Sequence, residues 1–268
     1  MSSPREIEVR SEELATLDAP AAQPITARLA GAGSLRQELE ALLAAAPIGA
    51  SAEQYHDLLL KENVAGKRSA TARMWAWKRL KLRYALDPDL AEHQAFVAGM
   101  RTTSDPAERG LLCFLMFART DRLFREVTFE CVSPHLHDEG TIVEPTTVEE
   151  AVRQRAAQAG LRWSTNTLDR VHGHLLTALK DFGFLRGARL KRTVAVRPGL
   201  QVVLFAARLA RLQGLTDRQA LDSCWFRLLG MTTGAAAEAL YTAHRAGTLT
   251  FRMQADVVEL TLPPVAVP

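Results

Sequence analysis

The sequence predicts a mainly α protein, an N-terminal helical bundle followed by two smaller units that each end in a β-hairpin. Three features carry that expectation. Apolar residues recur every three or four positions almost throughout residues 33–182, the period of helices sharing a core. Near Gly140 the order becomes helix, turn, helix and two short alternating segments, which is winged-helix-like. The same order returns after residue 200.

The elements follow from local signals. SLRQELEALLAAA is a helix stopped by Pro47 and Gly49, and Ser51 can cap AEQYHDLLLKENV, which Gly66 ends. Ser69 caps a basic helix over residues 69–86, closed by Asp87-Pro88. Asp89 opens a short helix to Met100, and Asp105-Pro106 opens another that continues through TDRLFREVTFECV until Pro134 breaks it. Thr146 or Thr147 then begins a helix with Glu149 and Glu150 in its favourable first turn. Ser164 or Thr165 caps STNTLDRVHGHLLTALKDFG, and RGARLKRTVAVRP alternates as a hairpin. VVLFAARLARL, TDRQALDSCWFRLLG and TGAAAEALYTAHRAG are the later helices, the last capped by Thr232 or Thr233. TLTFRMQADVVELTLP makes the second hairpin. The expected organisation is an arm (1–24), a helical domain (25–140), a winged helix-turn-helix domain (141–199) and a winged-helix-like domain (200–268).

The 47% hydrophobic and 24% charged content of the 268 residues is that of a folded soluble chain. The longest apolar run, LLCFLMFA at 111–118, is far below the ~20 residues that span a bilayer, and nothing resembles a signal peptide. Cys113, Cys131 and Cys224 are odd in number and widely spaced, as in a reduced cytoplasmic protein without a disulfide frame.

Charge is distributed unevenly. Residues 61–83 hold eight Lys or Arg against one Glu, while the formal net charge of the whole chain is only +3. On a helical wheel Met74, Trp77, Leu80 and Tyr84 share an apolar side. Arg68, Arg79 and Arg83 form a ridge opposite, with Ala72 and Ala76 as its gaps. Lys67 and Arg68 stand where the helix dipole disfavours cations, so an anion such as phosphate would relieve them. Arg186, Arg189, Lys191, Arg192 and Arg197 form a second basic segment where a wing would touch a nucleic-acid backbone. Asn166 and Arg170 lie in the first turns of their helix, where base edges could be met. A basic helix face is more often simply solvated, and hairpin lysines also blunt sheet edges. The near absence of acidic partners within 61–83 argues for a polyanion.

Other candidate chemistry is thinner. Cys131, His135, His137 and Asp138 lack zinc-like spacing, and His172 and His174 point about 200° apart on a helix. No P-loop, dinucleotide or nucleophile-elbow fingerprint appears. No catalytic residue, metal or cofactor is expected.

NVAGKRSATARMWAWKRLKLRY resembles the N-x-L…KRS-x-AT-x-R…R signature of BrxA proteins of bacterial BREX phage-exclusion systems, with Val64-Ala65 where leucine is common. WSTNTLDRVHGHLLTALKDFGFLRG is similar to a second family segment. The matching positions are Asn63, Lys67, Arg68, Ser69, Ala70, Thr71 and Arg73, then Trp163, Ser164, Thr165, Leu179, Asp181, Phe182 and Gly183. The resemblance implies a non-catalytic, double-stranded-DNA-binding accessory protein. The expected contacts are Lys67, Arg68, Ser69, Arg73, Lys78, Arg79, Arg83, Asn166, Arg170, Arg189, Lys191 and Arg192. Other BREX proteins are expected partners, and RNA stays open beside DNA. Two alternatives stand: a scaffold docking an acidic partner, and a winged-helix transcriptional regulator.

Overall fold

The computed structural model describes residues 23–255 and 257–265; most of the arm expected at residues 1–24 lies outside them. The chain is mainly α, as the apolar periodicity requires. After a 3₁₀ turn (Arg28–Gly31) come α1 (Arg36–Ala45), α2 (Ala52–Leu60), α3 (Ala70–Arg83), α4 (Ala91–Thr102), α5 (Pro106–Thr120) and α6 (Arg122–Cys131). Strand β1 (Ile142–Val143) precedes α7 (Pro145–Gln158) and α8 (Thr165–Asp181), followed by β2 (Leu185–Arg186) and β3 (Lys191–Thr193). Helices α9 (Leu200–Leu212), α10 (Asp217–Leu221), α11 (Cys224–Leu228) and α12 (Thr233–Arg245) lead to β4 (Thr250–Gln254) and β5 (Val257–Thr261).

The caps explain most boundaries. Ser51 forms a capping box with Gln54, and Ser69, Ser164 and Thr232 each accept a backbone N–H of their helix's first turn. Asp105 and Pro106 open α5 as expected. Three expectations need correction. Residues 106–131 form two helices, because the Asp121 side chain accepts the Phe124 N–H at 3.0 Å and starts α6 anew. Pro145, not Thr146 or Thr147, opens α7, so Glu149 and Glu150 fall outside its first turn. The basic helix ends at Arg83, since Ala85 adopts a left-handed φ of 41° before Asp87-Pro88.

The first hairpin gains a strand that periodicity did not reveal. The sheet order is β1-β3-β2, antiparallel throughout, with Ile142 opposite Arg192 and Leu185 opposite Thr193. Thr193 anchors it by donating its hydroxyl to Asp138 O at 2.7 Å. The second hairpin, β4–β5, pairs Thr250 with Thr261 through Gln254 with Val257.

One contiguous apolar core joins the elements. At its centre the rings of Phe114, Phe117, Phe124, Phe182 and Phe184 meet with centroids 4.1–6.1 Å apart. That clamps the end of α8 to α5 and α6. Helix α9 packs on both α4 and α5, tying the second hairpin unit to the bundle. Among the described residues no helix is long and apolar enough to cross a membrane.

Candidate nucleic-acid interface

Helix α3 is entered through a tight turn. Asn63 takes a left-handed φ of 55°, accepts Lys67 N–H at 2.8 Å and donates to Lys67 O at 3.0 Å. Asn tolerates that backbone region better than most residues. Ser69 then accepts the Ala72 N–H at 3.1 Å, and the helix begins.

The helix sits rotated from the expected wheel. Its buried edge comprises Ala76, Trp77, Leu80, Arg83 and the capping Tyr84. Arg83 is only 3% exposed, and donates to Ala32 O at 2.7 Å, to Arg28 O at 3.2 Å and to Gly33 O. Burial lowers its pKa to about 10, so it stays charged at neutral pH. Tyr84 donates its hydroxyl to Ser34 O at 2.7 Å beside it. The expected solvent ridge is therefore corrected at Arg83 and Ala76, and Met74, expected in the core, is 37% exposed. The physical reason is that three backbone carbonyls meet at one point, and a guanidinium satisfies them from inside the protein. Lys67 is also corrected: it bonds the Glu38 carboxylate and is not unpaired.

What remains outward is a mixed face. Arg68, Lys78 and Lys81 are exposed, and Arg73 and Arg79 are half-buried. The Arg79 guanidinium lies 3.8 Å from the centroid of the Trp75 ring, with the Gly31 backbone against it. Partial desolvation lowers its pKa, and among the described residues no carboxylate pairs with it. Two depressions meet at Lys78 and Arg79. Leu60, Thr71, Met74 and Trp75 line one, and Arg28 and Leu82 line the other.

The 3₁₀ turn and the loop after it connect this face to α8. His174 Nδ1 bonds Leu29 O at 2.7 Å, and Ser34 donates to the Asp181 carboxylate at 2.6 Å. Helix α8 buries Leu168, Val171, Leu175, Leu176 and Leu179 and leaves Asn166 and Arg170 exposed one turn apart. On the β2–β3 connection Arg189 is exposed, and Leu190 is 53% exposed. Lys191 donates to Gly187 O at 3.1 Å and Ala188 O at 2.9 Å, and Arg192 donates to Gly140 O at 2.9 Å. Both cations bond backbone carbonyls, and among the described residues no carboxylate pairs with either.

One grouping escaped sequence reasoning. Glu149 of α7 meets Asp169 and His172 of α8, with donor atoms within 4.8 Å of one another. The i,i+3 spacing of Asp169 and His172 was visible, but the α7–α8 packing that adds Glu149 was not. Arg153 already bonds Glu149. Cys131, considered earlier with His135 and His137, is buried with its thiol pKa pushed up to about 12.

These elements define a mainly helical protein with a cation-bearing helix face and small antiparallel strand pairs. The family model described as BrxA matches residues 24–206, and the chain belongs to the BrxA family. It is a BREX-associated phage-defence protein. No curated protein matches it. The family motif residues now have physical roles: Asn63 and Ser69 shape and cap the entry to α3, Lys67 ties it to α1 through Glu38, and Asp181 receives Ser34. Phe182 joins the aromatic core, and Gly183 supplies a φ of 92° at the end of α8.

Proposed function

We propose that this chain is a non-catalytic, cytoplasmic double-stranded-DNA-binding accessory protein of a BREX system, gripping duplex mainly through phosphates. The observation that carries the reading is the set of cations that no carboxylate pairs with among the described residues: Arg68, Lys78, Arg79 and Lys81 on α3, and Arg189, Lys191 and Arg192 on the hairpin. Phosphates supply the missing counter-charge, and released counterions drive association. The order strand, helix, helix, hairpin, with the first strand paired to the last, supports a winged helix over residues 141–199. In that reading α8 offers Asn166 and Arg170 to a groove while the hairpin holds the backbone. Arg83 and Lys67 support the surface from within.

The test is duplex titration with wild type and with Arg68→Glu/Lys78→Glu/Arg79→Glu. The charge reversal should weaken binding at least about 100-fold at low salt while circular dichroism is unchanged. Undiminished binding by the folded variant would move the contact elsewhere.

A second reading has its own observation. Met74 and Leu82 are exposed on the same face, and duplex phosphates give them nothing to pack against. An acidic partner with apolar side chains, such as another BREX protein, would use both chemistries.

A further inference from the structure

The outward face of α3 joins two chemistries in one concavity. Two depressions share Lys78 and Arg79, cations that no carboxylate pairs with among the described residues. The larger, about 660 Å³, is lined by Leu60, Thr71, Arg73, Met74 and Trp75 beside those cations. The smaller, about 220 Å³, takes in Arg28 and Leu82. Only the larger reaches the ~300–1,000 Å³ of small-molecule pockets. Phosphates along a duplex answer the cations alone and leave Met74, 37% exposed, uncovered.

The group that brings both chemistries together is a nucleotide outside a base pair, a planar base joined to an anionic phosphate. Inside a duplex the faces of a base are covered by its neighbours. An unpaired base exposes them and stacks on aromatic rings or guanidinium planes. The larger depression holds both kinds of plane: the Arg79 guanidinium carbon lies 3.8 Å from the Trp75 ring centroid, and the Gly31 backbone stands close against that guanidinium. The cation is thus placed beside the ring before any ligand arrives. Arg73 Nε is buried without a hydrogen-bond partner among the described residues, and the exposed Thr71 adds a hydroxyl. An acidic polypeptide answers the charges too, but its aliphatic side chains do not extend a ring–guanidinium pair as a base does.

We infer that the depression beside Trp75 receives one unpaired nucleobase of a bound DNA strand, with the flanking phosphates on Lys78 and Arg79. This rests on the DNA-binding reading and adds a preference to it. Any duplex is held through its phosphates, and one with an unpaired base is held more tightly.

Two measurements on the full chain test it. The first compares a perfect 20-base-pair duplex with the same duplex carrying one bulged thymine. Wild type should bind the bulged duplex on the order of tenfold tighter, the scale of one stacked base. Trp75→Leu keeps the position apolar and the charge unchanged but removes the ring, and should bind the two duplexes about equally. The readout is a ratio, so a general loss of phosphate contacts cancels. Met74→Ser, at a more exposed position, should shrink the ratio in the same sense and guards against a folding defect in the first variant. A bulge also bends DNA, so the second measurement locates the base. With 5-iodouracil at the bulge, irradiation should cross-link it to Trp75 or Met74, read by mass spectrometry. Equal affinities in wild type, a preference that survives in both variants, or cross-links only elsewhere would overturn the pocket. Displacement of the bulged duplex by micromolar thymidine monophosphate would do the same, by making a free nucleotide the occupant. If both duplexes bind and the bulge adds nothing, this inference fails and the phosphate grip stands. If neither binds, both fall.

Discussion

The Arg79 guanidinium carbon lies 3.8 Å from the centroid of the Trp75 ring, and the Gly31 backbone stands close against the same guanidinium. A Cβ on Gly31 would come within 2.5 Å of Arg79 Nη2. Glycine is therefore needed at position 31 to hold a cation on the outward face, not to make the turn. Gly31→Ala should push the Arg79 side chain off its aromatic seat. Because the obstructed atom ends a flexible side chain, stability should fall by less than about 1 kcal/mol. Duplex affinity should fall about three- to tenfold, as one oriented phosphate contact is lost. Fluorescence anisotropy and a thermal melt separate the two effects.

Arg83 should behave in the opposite way. Its three carbonyl acceptors come from the segment that joins α3 to α8. Arg83→Met fills similar volume but leaves those acceptors unpaired, so a loss of about 3 kcal/mol is expected in urea unfolding. The salt dependence of duplex binding by the folded fraction should match wild type.

His93 makes stability sensitive to mild acid. The ring is 3% exposed, with Nε2 at 3.3 Å from the Tyr55 hydroxyl, and burial lowers its pKa to about 4 from an ordinary 6.5. The unfolded chain therefore binds the extra proton between those values. Stability contributed by the neutral ring is present above pH 6.5 and is lost as pH falls towards 4. Wild type should lose roughly 2–3 kcal/mol more than His93→Gln across that window. Parallel pH profiles for the two proteins would contradict this.

Asn63 sets the start of α3. Asn63→Ala removes both bonds to Lys67 and places a less tolerant residue at a φ of 55°. A loss of about 1–2 kcal/mol is expected in chemical denaturation, with Asn63→Gly losing less because glycine keeps the backbone geometry.

These residues show what the sequence made legible. Ser51, Ser69, Ser164 and Thr232 could be read as caps because a cap depends on a hydroxyl and the next three residues alone. The second hairpin could be read because its alternation covers both strands. Strand β1 could not, since two residues carry no period and Ile142 pairs with Arg192, 50 positions away. Periodicity likewise could not orient α3. The wheel sorted residues by type and placed Arg83 in water; only the fold brings the carbonyls of Arg28, Ala32 and Gly33 together. The concentration of charge at residues 61–83 was legible, but which cations it leaves outward depends on Glu38 and on that loop.

The central claim is that the outward cations of α3 and the first hairpin hold duplex by its phosphates. The most direct measurement is duplex affinity between 50 and 200 mM salt for wild type. A fall on the order of 10³-fold is predicted if six or so phosphates are neutralised, with a shallower slope for Arg68→Glu/Lys78→Glu/Arg79→Glu. Affinity that is flat across that range, or equal in the two proteins, would contradict it.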